Sequence, residues 1–163
     1  MSVDRTDVGP DVGQICYDWW RGALASDRGS ARMTRAGLRR AQNPLEVLQV
    51  AEVHRLASDL SKAGHDMRGG DRPDRLALIA TALAQITDGR GARAARRFGA
   101  GDPPPLSEIR FETLIRTEAP RELIRPLCRA LGIISGGLDA RALARDLFYW
   151  NGSGVTPRRA ISS

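Results

Sequence analysis

LALIATALAQIT, from Leu76 to Thr87, is the longest uncharged apolar stretch in a chain of 163 residues, and its reading decides the fold. As a strand, it would make the following Gly89, Gly91 and Ala94 a GxGxxA dinucleotide-binding loop. As a helix, it leaves them as a turn. Pro73 and Asp74 stand where a first helical turn favours them, and Leu76, Ile79, Leu83 and Ile86 recur at the spacing of a buried helical seam. The fingerprint also needs parallel strands after it, whereas a basic Gly- and Pro-rich connection and further helical patterns follow. The reading is a helix from Pro73 to about Asp88, with no cofactor. The stretch is far shorter than the ~20 residues that cross a bilayer. Asp4, Arg5, Asp7 and Asp11 occupy the N-terminus in place of an apolar signal core, so no membrane partner and a cytoplasmic location are expected.

Working outward, Ala and Leu supply 39 residues against 23 for Val, Ile and Thr, and no segment alternates with period two. The expected fold is all-α: a single-domain helical bundle of about six to eight helices in two halves. A first helix spans about 11–25 and a second about 30–42. Asn43 caps a third, with Pro44 at its first position, Glu46 as capping-box acid, and Leu45, Leu48, Leu56 and Leu60 along one side. The connection from Gly89 to Pro105 is the expected hinge between halves at about 10–88 and 106–150, with room for a short helix over 92–98. Ser107 caps the next helix, containing Phe111, Leu114 and Ile115. Another follows over about 120–134, where Pro126 should kink it or delay its start. Asp139 caps the last, with Leu143, Leu147 and Trp150 facing inward. Residues 1–9 are expected to be flexible and 151–163 to form a mobile tail.

With 42% apolar and 27% charged residues, one domain of this size needs no staple. Cys16 and Cys128 are read as free buried thiols. His54 and His65 lack partners at metal-ligand spacing, no serine or cysteine sits in a nucleophile motif, and the acid pairs Asp71/Asp74 and Glu118/Glu122 fall at helix starts. Neither an enzyme nor a metal site is expected. Trp19, Trp20 and Trp150 are assigned to the core.

Charge says more. Of 25 basic residues 24 are arginine, only Lys62 is lysine, and 19 acids leave a net charge of +6. A basic surface prefers an anionic partner, and the planar guanidinium fork suits phosphate. Arg28, Arg32, Arg35 and Arg39 are spaced by four, three and four residues, one stripe of a helix, while Ala31, Leu38 and Ala41 turn elsewhere. Such a row repels itself by a few tenths of a kcal/mol per pair unless something negative lies along it. Arg90, Arg93, Arg96 and Arg97 crowd the connection, and Arg121, Arg125 and Arg129 recur every fourth residue. The competing reading is a solvated face, or internal pairing with acids such as Glu118 and Glu122. A structural adaptor gripping acidic proteins and a stand-alone nucleic-acid-binding module are the alternative functions, although no helix-turn-helix stands out.

The order of motifs resembles the small subunit of the type I-E CRISPR Cascade complex, the CasB family. Tyr17-Asp18-Trp19-Trp20 is similar to that family's opening Trp-Trp helix. Asp27-Arg28-Gly29, then Arg35-Ala36-Gly37-Leu38-Arg39-Arg40-Ala41, are similar to its arginine-glycine stretch and Leu-Arg-Arg signature. Leu106-Ser107-Glu108-Ile109-Arg110-Phe111 matches Leu-Ser-x-x-Arg-Phe, and Leu127-Cys128-Arg129-Ala130-Leu131 is similar to the segment after it, with one arginine replaced. Leu143-Ala144-Arg145-Asp146-Leu147-Phe148-Tyr149-Trp150 resembles the final Leu-Ala-x-Asp-Leu-x-x-Trp helix. Residues 30–34 look like a small lengthening, and the tail lacks further aromatic residues.

The resemblance implies an all-helical, non-catalytic subunit, present in two copies in the crRNA-guided complex. It would touch the backbone and large subunits and hold the opened target DNA of the R-loop, particularly the displaced strand. Because guide pairing reads the sequence, positive charge along a strand suffices. Arg35, Arg39 and Arg40 carry over as strand contacts, with Arg110 and Arg129 on the same surface and Arg110 open to a structural role instead. Arg28, Arg32, Arg93, Arg96, Arg97 and Arg125 rest on spacing.

Overall fold

The computed structural model describes residues 11–134 and 136–151. In chain order the helices are α1 (Val12–Ala23), α2 (Gly29–Arg40), α3 (Pro44–Val47), α4 (Ala51–Lys62), α5 (Arg72–Leu83), α6 (Ala94–Gly99), α7 (Glu108–Arg116), α8 (Pro120–Ile133) and α9 (Ala140–Phe148). The fold is an all-α bundle; among the described residues there is no strand, and an isolated bridge joins Ala92 to Leu138. The stretch 1–9 and all of the tail except Asn151 lie outside the described residues.

The decisive stretch is helical as far as Leu83, where α5 ends short of the expected Asp88, and it is the axis of the molecule. Every residue from Leu76 to Ala84 is buried, which places α5 in the middle, because a helix apolar all round has no face for water. α8 and α9 pack most extensively against it, and α2, α3 and α4 complete its surroundings. Each fully buried leucine there contributes ~1.5–3 kcal/mol. Thr81 is the one buried polar side chain on the axis; its hydroxyl donates to the carbonyls of Ala77 (2.9 Å) and Leu78 (3.1 Å).

Nine helices among the described residues exceed the expected six to eight, mainly because the third expected helix is two. Asn43 does cap it, accepting from the Glu46 amide at 3.0 Å, while Glu46 reaches back to the Gln42 amide at 2.8 Å. Tight bonds from Gln49 to Glu46 and from Val50 to Val47 then end α3 within one turn, and α4 restarts at Ala51. The leucine side consequently breaks up: Leu56 and Leu60 are buried, Leu48 is half-buried, and Leu45 is 70% exposed. α8 begins at Pro120 and runs through Pro126, so Pro126 delays nothing. Ser107 and Asp139 cap α7 and α9 as their sequences require, accepting from the amides of Arg110 and Ala142.

The tryptophans are core residues that also tie elements together through their indole N–H groups. Trp19 donates to the Glu52 carbonyl (2.8 Å), Trp20 to Ile86 (3.3 Å) and Trp150 to Thr117 (2.6 Å). Behind α5 the glycines of the apparent dinucleotide fingerprint have a packing role. Gly89 lies against the rings of Trp20 and Tyr17, and Gly91, at φ +142°, faces the Gly137 backbone. That approach lets the amides of Leu138, Asp139 and Ala140 donate to the carbonyls of Asp88, Ala92 and Gly89, at 3.0, 3.0 and 3.1 Å.

α9 makes its largest contact with α1. Arg145 pairs with Asp11 at 2.8 Å, and Arg141 donates to Gln14 at 2.7 Å with its guanidinium 3.9 Å above the Tyr17 ring. The Arg145 hydrogen bond holds the Asp11 carboxyl below its ordinary value of 3.8. A carboxylate with a lowered folded pKa stabilises the fold above its unfolded pKa and loses that contribution as acid takes pH down through the folded value. Asp11→Asn should therefore melt below wild type at pH 6 and converge with it as acid carries the pH down through the lowered folded pKa. A constant gap in thermal melts across that range would remove this pair from the acid response.

Candidate nucleic-acid interface

Among the described residues carboxylates occupy several arginines: Arg55 with Glu52, Arg68 with Asp66, Arg75 with Asp71, Arg116 with Glu112, Arg121 with Asp74 and Arg145 with Asp11. Arg75 is further committed, its guanidinium donating to the carbonyls of Leu147 and Trp150 at the end of α9. Of the arginines singled out by spacing or resemblance, Arg28, Arg32, Arg35, Arg39, Arg40, Arg93, Arg96, Arg110, Arg125 and Arg129 take no part in these pairs. The division is physical, since paired arginines are already neutralised.

Three of the unpaired arginines meet. α8 runs alongside α5 in the same direction, with Arg121 reaching Asp74 near the first turns and Cys128 meeting Thr81 and Gln85 further on. α2 crosses near the end of α5, where Arg39 Nε donates to the Ala84 carbonyl at 2.8 Å. Between them lies an open hollow of about 160 Å³ whose rim carries Arg39 from α2 and Arg125 and Arg129 from α8. Leu38 and Ile124 floor it, and Ala41, Gln42, Thr81, Gln85 and Cys128 complete it. Among the described residues no carboxylate lines the hollow.

The expected four-arginine row on α2 is altered in two ways. Arg28 precedes the helix as its N-cap residue, and Arg35, half-buried, donates Nη1 to the Leu24 carbonyl. Arg35 and Arg39 thus fasten α2 to its neighbours as well as carrying charge. Arg32 and Arg40 are exposed on α2 and do not line the hollow. Arg93, Arg96 and Arg97 sit at α6 and exposed Arg110 on α7, a second basic group joined by Phe98 against Phe111 at 6.4 Å. Arg97 lies against Gly136, where a Cβ would come 2.9 Å from its Nη2. Arg121, in step with Arg125 and Arg129 by spacing, is drawn off by Asp74.

Sequence reading missed Gln42, Gln85 and Cys128 as lining residues. Cys128 was legible as a neighbour of the pair, since it shares their face of α8. Gln85 had no sequence signal, because its place depends on how α2 and α8 meet α5. Burial pushes the Cys128 thiol up to about 11 and the Cys16 thiol, buried in α1, up to about 12, so both are neutral at pH 7; both are free. Among the described residues no group of three or more His, Cys, Asp or Glu could hold a metal ion, and no helix is long and apolar enough to cross a membrane.

The family model of the CRISPR-associated protein Cse2 matches residues 34–162. The matched segment begins within α2 and contains every residue lining the hollow. No curated protein and no solved structure matches the chain.

Proposed function

Because the chain belongs to the CRISPR-associated protein Cse2 family, and is thereby a small subunit of type I-E Cascade, we propose that it serves that complex by holding opened target DNA through sequence-blind contacts with phosphates. The observation that carries this reading is the meeting of Arg39, Arg125 and Arg129 from two helices on one hollow that no carboxylate lines among the described residues. Three like charges held together raise the energy of the free protein, and a polyanion laid across them reverses that cost. Backbone contacts suit a subunit of a guide-directed complex, since base pairing reads sequence and the protein needs only to stabilise the separated strands. The second basic group, at α6 and α7, extends the same attraction over another part of the surface. In this reading the subunit is non-catalytic, occupies two positions beside the backbone and large subunits, and contacts the displaced strand in the R-loop of the crRNA-containing complex.

Arg125 and Arg129 are the informative targets, because both are exposed and neither holds a backbone carbonyl, unlike Arg35 and Arg39. Titration of single-stranded DNA by fluorescence anisotropy over a range of salt should give a weak, sequence-independent affinity. In the Arg125→Ala/Arg129→Ala protein the slope of log K against log salt should shrink by about 1.4, at ~0.7 per single-strand phosphate contact. An unchanged slope would transfer these arginines to the other reading, an adaptor that grips acidic proteins.

A further inference from the structure

We propose that the hollow between α2, α5 and α8 seats one phosphate group at a time and excludes the nucleobase. The inference rests on the nucleic-acid reading above and specifies which part of the polymer enters. At about 160 Å³ the hollow is well below the ~300 Å³ at which pockets for drug-sized molecules begin, so a whole nucleotide does not fit and the choice between phosphate and base rests on charge. Its charged hydrogen-bond donors are guanidinium groups. The Gln85 and Gln42 amides each give one N–H to the carbonyls of Thr81 and Arg40 and keep one neutral N–H, and the Thr81 hydroxyl is spent on its own helix. Arg39 is aimed before any ligand arrives, because the Ala84 carbonyl fixes its Nε and leaves both Nη groups to donate. Arg125 and Arg129, one helical turn apart, supply the opposite rim. A tetrahedral anion accepts from several such donors at once, whereas a base edge offers no charge to three cations. The Cys128 thiol, lying between Arg125 and Arg129 in sequence and lining the same hollow, is covered when the seat is filled.

That thiol provides the test. On the full-length protein, alkylation of Cys128 by iodoacetamide is followed by peptide mass spectrometry, with fully buried Cys16 as the silent internal control. The probes are inorganic phosphate, an abasic oligonucleotide, and an oligonucleotide of normal bases on a neutral methylphosphonate backbone, at matched ionic strength. The first two should slow Cys128 labelling on the order of tenfold at about tenfold excess over their Kd, and the third should leave it unchanged. Arg125→Gln/Arg129→Gln should abolish the protection. The rise of Tm with added phosphate, present in wild type and lost in the double variant, reports the same event without relying on thiol reactivity. If single-stranded DNA binds by anisotropy while phosphate and abasic DNA neither protect Cys128 nor raise Tm, the seat is wrong and the nucleic-acid reading stands. If phosphate protects but DNA does not bind, the seat stands and the functional reading falls. Protection by the methylphosphonate strand would overturn the exclusion of bases.

Discussion

Gly137→Ala is expected to cost about 3 kcal/mol, because the new methyl falls on the Arg90 carbonyl oxygen and within 3.0 Å of Asp88 Oδ2. Neither backbone can yield alone. Gly91 presses from the other side, where a Cβ would come 2.5 Å from the Gly137 carbonyl oxygen. Separating the two segments breaks the bonds that Leu138, Asp139 and Ala140 donate to Asp88, Ala92 and Gly89, each worth ~1 kcal/mol net. In a chain of this size the loss should lower Tm by about 10 °C, at ~2–4 °C per kcal/mol. Gly132→Ala on α8 is the control: its Cβ would meet nothing within 4 Å, so the gain in helix propensity should raise stability by ~0.5–1 kcal/mol. Thermal melts followed by circular dichroism decide the point, and a Gly137→Ala protein that melts with Gly132→Ala would show the junction to be yielding.

The second large effect is Trp20→Ala, with an expected cost of about 3–5 kcal/mol from the ring alone. Trp20 is 5% exposed, stacks on Tyr17 with centroids 5.7 Å apart, and covers Gly89. Truncation also strands the Ile86 carbonyl that its indole now satisfies, adding ~1 kcal/mol or more. Against a total of ~5–15 kcal/mol for a domain, this leaves little margin. Ile86 and Gly89 follow directly on the Ala84 carbonyl that aims Arg39, so the variant should also weaken anion binding although it touches no ligand. Urea titration gives the first quantity and anisotropy at low temperature the second. A midpoint shift worth less than about 1 kcal/mol would mean that the neighbouring rings refill the space.

How much of this was legible depended on how local the deciding interaction is. The α5 run, the Asn43, Ser107 and Asp139 caps and the inward Leu143–Leu147–Trp150 face follow from side chains acting on their own turn, and sequence spacing exposes them. The break between α3 and α4 carries no glycine or proline; packing around α5 overrides a continuous helical pattern there. The same contrast governs the site. The α2 row was visible as a repeat, yet Arg35 and Arg39 turned out to hold carbonyls of Leu24 and Ala84, residues to which no local rule connects them. Arg121, Arg125 and Arg129 are equivalent by spacing, and only the arrival of Asp74 from α5 separates the first from the other two.

The partnership of α1 with α9 has a consequence for how the chain is made. The ribosome releases α1 first among the described helices and α9 last, so the face of α1 around Gly13, Gln14 and Tyr17 waits through most of translation before the helix that covers it emerges. Nascent chains arrested before residue 140 should bind chaperones and be cleaved near α1, and protection should arrive in one step once α9 clears the exit tunnel.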